Sequence, residues 1–430
     1  MARKVLISFL GTGPLDKNGA STRVYPPATY SYNGAEYPSS FFASALGHFL
    51  DIDVYYLYGT MKSMWEEVYK HFSKERNIPV NKEYADKLFE TCGLNTVNQN
   101  TPLDTELFEQ LKKSLSPDSK IYPIYYGVDD AQIKGNFEIF VNSLEDLRDG
   151  DDIYLDITHA FRSIPLFATT SLSFIRDVTD KKVQVKGIFY GMFEAMSEEK
   201  KVPVVDLSYI NELQNWIKGA YSFTQFGNGR MLADLLKDKN KTVSDKLTTF
   251  TNTLSINFIH EIKSRIAELM TLISEEQYDL PEKMVIPKAF KTFINFFKDA
   301  QSLSDYQFIL SKWHAQKGNI ALSYMCLVES IFTYACEKIT EKKYRSRFDN
   351  ILNRIPDTSK HNIQSQEFRA ELKNEIGTHD FLGLGDIFAK ANSIRNQIAH
   401  VKEDRKYTLK QAVESLQGFI NNFENIRRTC

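Results

Sequence analysis

Tyr154-Leu-Asp-Ile-Thr-His-Ala-Phe-Arg-Ser-Ile-Pro165 is an apolar strand that runs into polar groups where a helix begins. A strand-to-helix junction of this kind makes a phosphate site, because free N–H groups and the dipole at a helix N-terminus favour an anion. Thr158, His159 and Arg162 are expected there, offering charge-assisted contacts to phosphate oxygens. Asp156, still inside the strand, is expected to hold the loop through backbone N–H groups. The same grammar recurs upstream. Val5-Leu-Ile-Ser-Phe9 is an apolar, partly β-branched run that breaks into Gly11-Thr12-Gly13-Pro14, a strand followed by a tight glycine-permitted loop. After a Tyr-rich loop (Tyr25, Tyr30, Tyr32, Tyr37), Pro38-Ser39-Ser40 reads as the capped start of a helix. Further strands are predicted at 53–58, 121–126, 153–157, 183–190 and 202–207, with helices at 61–72, 82–91 and 104–114 between them. Strands alternating with helices predict an α/β, Rossmann-like, mostly parallel doubly wound sheet with ligands at the carboxyl ends of its strands. Gly11, Thr12, Gly13, Ser40, Thr158, His159 and Arg162 then share one crevice. Gly-Thr-Gly alone is an ordinary turn, lacking the spacing of either common nucleotide-binding glycine motif.

Past Leu207 the strand signal stops. Residues 209–226 read as helix, Gly227-Asn228-Gly229 punctuates, and the remainder carries helical periodicity with few glycines. This predicts two domains, 1–226 and an all-α 227–430. Within the second, Ser393-Ile-Arg-Asn-Gln-Ile-Ala-His400 concentrates groups able to act on an anion. On a helix, Asn396 and His400 share a face, and Arg395 and His400 are separated by roughly 7.5 Å along the axis. A histidine can move a proton near neutral pH, and an always-charged guanidinium can stabilise a phosphorane. The trio Arg395, Asn396 and His400 therefore suits phosphodiester transfer in RNA by the substrate's own 2′-hydroxyl, with no metal required. An ordinary amphipathic helix carrying a surface Arg and a capping His has the same letters.

Composition narrows the partners. With 53 basic and 55 acidic residues the net charge is −2, so any nucleic-acid surface is a local patch. Cys92, Cys326, Cys336 and Cys430 form no CxxC pair and no metal-ligand spacing, which fits reduced thiols in a cytoplasm. Met1-Ala-Arg-Lys leads directly into a strand, so no signal-peptide core is expected. Residues 320–339 are apolar enough to be tested as a membrane span, but Glu329 at the centre costs roughly 3 kcal/mol on insertion scales, so a buried helix and no membrane are expected. Glu329 could also orient the Arg395 site.

Two motifs carry a resemblance. Asp156-Ile157-Thr158-His159-Ala160-Phe161-Arg162 is similar to the Asp-x-Thr-His-Gly signature of the CARF-HEPN ribonucleases of type III CRISPR systems, the Csx/Csm group, with Ala160 where that pattern has Gly. Arg395-Asn396-Gln397-Ile398-Ala399-His400 resembles the HEPN Arg-x4-6-His motif. The resemblance runs through nearly the whole chain in domain order. It implies an N-terminal CARF domain that binds a cyclic oligoadenylate, the tetramer being the expected ring, at Gly11, Thr12, Gly13, Ser40, Thr158, His159 and Arg162 on the two-fold axis of a homodimer. It further implies a C-terminal HEPN domain that degrades single-stranded RNA with little selectivity, using Arg395, Asn396 and His400 at a composite dimer site. Two other readings share these motifs: a cyclic-oligoadenylate-binding regulator, and a ring nuclease with its chemistry in the CARF domain.

Overall fold

The computed structural model describes residues 2–13, 25–93, 97–159, 163–274, 282–339, 370, 372–374, 381–400 and 406–429. The chain divides into two compact units, Met1–Glu212 and Leu213–Cys430. The division falls inside the helix Ser208–Phe226, whose far end is the position at which the sequence reading set its boundary.

Unit one is an eight-stranded sheet: β1 (Lys4–Leu10), β2 (Ala28–Tyr32), β3 (Ala35–Ser39), β4 (Val54–Thr60), β5 (Lys120–Ile124), β6 (Asp152–Asp156), β7 (Gln184–Gly191) and β8 (Val202–Asp206), in spatial order β3-β2-β8-β7-β6-β1-β4-β5. From β7 to β5 the neighbours are all parallel, Ile7 of β1 lying opposite both Tyr56 and Leu155. A strand packed on both faces reads as a continuous apolar run, and β1 is one. Leu6 and Leu10 join a core with Phe42, Leu57 and Trp65, while Val5, Ile7 and Phe9 join another with Tyr58, Phe140 and Leu155. The parallel strands follow the Rossmann order, and the chain winds outward in both directions from β1. The gap between the carboxyl ends of β1 and β6 is therefore the topological switch point.

Three local expectations change. The Tyr-rich segment is a hairpin of β2 and β3, pairing Tyr30 with Tyr37 across an Asn33-Gly34 turn with φ of 49° and 82°. Ser39 ends β3 instead of capping a helix. Its hydroxyl accepts from the Phe41 N–H at 3.0 Å, and the helix Phe42–Leu50 begins at Phe41 without a side-chain cap. The segment read as a helix over 104–114 is a 3₁₀ turn, Glu106–Phe108, followed by the short helix Glu109–Lys112.

Unit two, in its described residues, is helical. An aromatic core of Trp216, Phe223, Phe250, Phe290, Phe293 and Trp313 holds its first part. A second core joins the helices Ile320–Ile339, Gly385–Ala399 and Leu409–Thr429 through Leu327, Ile331, Phe388, Ile394, Leu416 and Phe423. Among the described residues, Ile320–Ile339 is the one helix long and apolar enough to cross a membrane, and it packs inside the unit, with Tyr324, Leu327 and Ile331 fully buried.

Candidate functional site

At the switch point the loop after β1 and the loop after β6 face each other. Gly11, Thr12, Gly13, Ser40, Thr158 and His159 line one crevice of about 400 Å³, so six of the seven predicted ligand residues come together. Arg162 lies outside the described residues. Gly13 has φ +84°, a conformation that only glycine adopts without strain, and it turns the chain out of β1 beside the crevice.

Asp156 is fully buried at the end of β6. It accepts from the Ser8 hydroxyl at 2.6 Å and from the Thr158 N–H at 2.8 Å, the loop-holding role expected of it. Burial pushes its carboxyl up to about 6, although both hydrogen bonds favour the charged form. Thr158 is committed on its side chain as well as its backbone, since its hydroxyl oxygen accepts from the Gly191 N–H at 2.8 Å and ties the loop to the end of β7. Thr158 and His159 sit in the bend after β6, ahead of the helix Ser163–Val178, and not on its first turn.

His159 does not carry the charge expected of it. Its ring lies 5.6 Å from the rings of Tyr25 and Phe193, which wall the crevice on either side. Though part of its surface reaches solvent, the ring sits deep enough that loss of water pushes its pKa down to about 4. At neutral pH it is therefore an uncharged donor and acceptor with a stacking face. Sequence reasoning missed Tyr25 and Phe193. The Tyr25 hydroxyl donates to the Gly11 carbonyl at 3.2 Å, and aromatic residues flanking a glycine loop were the available signal. It also missed the charged side of the crevice. Beyond Ser40 the groove continues past Glu67, Lys70, His71 and Lys74 of the helix Trp65–Glu75, with Lys70 paired to Glu67 at 2.9 Å and the Ser40 hydroxyl 3.3 Å from His71 Nδ1.

In the second unit, Gly385–Ala399 buries Ile387, Phe388, Ala391 and Ile394 and leaves Arg395 and Asn396 half-buried. The Arg395 guanidinium donates to Asn392 Oδ1 at 3.0 Å. His400 is exposed at the C-cap. Its N–H closes the last helical bond, to the Asn396 carbonyl at 3.0 Å, but its backbone is extended (φ −120°, ψ 129°). The helical-face reckoning for Asn396 and His400 therefore ends at Ala399, and the imidazole leaves the helix where the chain turns. Between them Gln397 uses both ends of its amide on Tyr407, donating to its carbonyl at 2.6 Å and accepting its N–H at 3.0 Å. That clamp fixes the approach to Leu409–Thr429 and was invisible in a short Arg-to-His pattern.

Comparison with known proteins places both units. Residues 5–194 match the family described as the CARF domain of the CRISPR system endoribonuclease Csx1, and residues 212–305 match the second domain of CRISPR-associated protein MJ1674. CRISPR-associated protein MJ1674 of Methanocaldococcus jannaschii is 31% identical over 441 aligned positions, covering 98% of this chain. The chain spans 66% of that protein's length, just under two thirds. Csm6 of Enterococcus italicus, solved bound to cyclic hexa-2′-fluoro-hexa-dAMP, covers 100% of this chain and 98% of its own at 12% identity, with a TM-score of 0.37 that is too low to carry an argument. The Rossmann-ordered sheet thus lies in a stretch that matches the CARF domain of Csx1, and the chain as a whole is similar along nearly its full length to a CRISPR-associated protein.

Proposed function

We propose that the chain is a cyclic-oligoadenylate-activated endoribonuclease of the cytoplasm, acting on single-stranded RNA as a homodimer. The observation that carries this reading is a division of labour. A Csx1-type CARF unit has a crevice at its switch point lined by the glycine loop, Thr158 and His159. A separate helical unit carries Arg395, Asn396 and His400 at one helix end, the first two half-buried and His400 exposed. A cyclic oligoadenylate suits an isologous interface, each subunit offering the same patch to one half of a symmetric ring. Its backbone would run past Lys74 and past Lys70, which would exchange its ion pair with Glu67 for a ring phosphate, while Tyr25, Phe193 and the uncharged His159 would face its bases.

In the helical unit, the His400 imidazole would take the 2′-hydroxyl proton as that oxygen attacks the adjacent phosphorus. The Arg395 guanidinium would stabilise the charge that develops, and Asn396 would orient either partner. The P–O5′ bond breaks as the leaving oxygen takes up a proton, which the imidazolium formed in the first step can return, leaving a 2′,3′-cyclic phosphate and a 5′-hydroxyl. Because the nucleophile belongs to the substrate, the reaction needs no metal, and a second copy of the motif would complete the composite site. The experiment is cleavage of a fluorescent RNA with a panel of cyclic oligoadenylates, with and without EDTA. Cleavage should require a ring, persist in EDTA, and be abolished by Arg395→Ala or His400→Ala with little loss of melting temperature. Cleavage that survives both substitutions, or that proceeds across a 2′-deoxy link at the cut site, removes this mechanism. Linear products from the ring in the absence of RNA cleavage would identify a ring nuclease instead.

A further inference from the structure

The crevice at the switch point meets a second pocket of about 220 Å³, and Ser40 and Tyr25 line both. On the first side stand Tyr25, His159 and Phe193; on the second stand Lys70, His71 and Lys74, with Glu67 beside them. Half-buried Ser40 is thus placed where an aromatic compartment gives way to a charged one, and its hydroxyl lies 3.3 Å from His71 Nδ1. Which of those two atoms donates decides what Ser40 can offer a ligand.

The surroundings of His71 fix the direction. Burial lowers its pKa below the ordinary 6.5, by more than the neighbouring Glu75 raises it, so at neutral pH the ring has one donor and one acceptor. Its other nitrogen, Nε2, is buried, has no hydrogen-bond partner among the described residues, and lies 3.9 Å from Glu75 Oε2. That carboxylate is itself held, because Oε1 accepts from the Ser44 hydroxyl at 2.8 Å and from the Tyr37 hydroxyl at 3.5 Å. A carboxylate so close attracts an N–H and repels a nitrogen lone pair, which puts the ring proton on Nε2. Nδ1 is then the acceptor, and the Ser40 hydroxyl donates to it. Phe41 and Phe72, both buried, pack edge-on against the imidazole with ring centroids at 6.0 and 5.5 Å and hold it in place.

With its proton spent on Nδ1, Ser40 offers a ligand only lone pairs, so it pairs with a donor and not with a phosphate oxygen. The layout of the two pockets says which donor. In a nucleotide the sugar stands between base and phosphate. A base among Tyr25, His159 and Phe193 and a phosphate beside Lys74 leave the sugar at the junction, where Ser40 is. The free donor of a sugar in a 3′,5′-linked ring is its 2′-hydroxyl, the group by which a site tells ribose from deoxyribose. We infer that Ser40 and His71 read the ribose of the activator, with Ser40 Oγ accepting from a 2′-hydroxyl and His71 as the residue that positions Ser40. This rests on the reading of the crevice as a cyclic-oligoadenylate site, and it makes that site selective for a ring that carries 2′-hydroxyls.

The test is calorimetric titration of the full chain with cyclic tetra- and hexaadenylate and with the same rings carrying fluorine at every 2′ position. Fluorine is close to a hydroxyl in size and donates no hydrogen bond, so the parent protein gives an answer before any residue is changed. The ribose ring should bind about tenfold more tightly than its fluoro counterpart. Ser40→Ala should abolish that preference, and so should His71→Phe, whereas His71→Gln keeps an acceptor for the Ser40 proton and should retain most of it. A His71 that served only the fold would weaken both rings alike when changed to Phe and leave their ratio in place. The inference is overturned by equal affinities of the two rings for the parent, by a preference that survives Ser40→Ala, or by a ratio that His71→Phe does not move. Equal affinities would leave the ring-binding reading standing, with Ser40 turned to a phosphate or a base instead. If neither ring binds, that reading fails and the inference falls with it.

Discussion

Asp156 shows how one buried carboxylate can organise a site at a cost to the fold. A carboxyl raised from 3.8 to about 6 binds its proton more tightly in the folded state than in the unfolded one. The stabilising contribution is therefore fully present below pH 3.8 and is lost as pH rises through 6, a difference on the order of 3 kcal/mol for a shift of this size. An asparagine at this position would keep an oxygen for the Thr158 N–H without a charge to bury. We expect Asp156→Asn to be at least as stable as the parent at pH 7.5, and its advantage to shrink as pH falls to 4.5, read as the difference of two melting temperatures across the range. An advantage that grows in acid would mean that the carboxylate is stabilised where it stands. At this scale the sequence was informative about which residues meet and poor about their state. Gly11, Thr12, Gly13, Ser40, Thr158 and His159 were legible because each follows a strand or opens a helix, and topology alone gathers them. The neutrality of His159 was not legible, because it comes from Tyr25 and Phe193, which are distant in sequence.

The elements were legible where hydrophobic period decides them and obscure where a turn does. The six predicted strands all exist, since an apolar run bounded by turn residues has few other uses in an α/β chain. The β2–β3 hairpin was passed over because its strands are rich in tyrosine and polar residues, yet Asn33-Gly34 is the strongest short-range hairpin signal a sequence can carry. That hairpin matters to the site, because the end of β3 leads directly to Ser40 in the crevice. Gly34 has φ +82°, and a Cβ added there meets nothing within 4 Å, so the cost of a side chain is purely conformational. Gly34→Ala should therefore destabilise the chain by about 1 kcal/mol, measured as a shift in urea midpoint at unchanged slope. An unchanged midpoint would show that the turn is not held in the left-handed conformation. The same limit applies to the helix end at His400. The sequence reads as helix over 382–391 and places 393–400 on or near one, as the helix Gly385–Ala399 has it, but the departure of the imidazole from its face depends on where the last turn stops, and on the Gln397 clamp to Tyr407.

At the scale of the molecule, the proposed activator and the proposed catalytic helix belong to different compact units, so activation of the proposed homodimer has to work through a balance between two of its states. A ligand shifts such a balance only by its differential affinity, and moving from about 1% to 99% active takes roughly 5.5 kcal/mol. No single contact supplies that, but a ring on the two-fold axis of the proposed homodimer would meet every crevice residue twice. If one His159 contact is worth about 1 kcal/mol, removing both copies costs about 2 kcal/mol, or roughly thirtyfold in affinity. His159→Ala should accordingly raise the activator concentration for half-maximal RNA cleavage by about that factor, and the directly measured dissociation constant should move in parallel. Because burial holds the imidazole at about 4, the ratio of variant to parent midpoints should be the same at pH 6 and pH 8. A ratio that widens as pH falls would mean that His159 takes up a proton against the ring phosphates. A midpoint that does not move at all would mean that the crevice at the switch point is not where the activator acts.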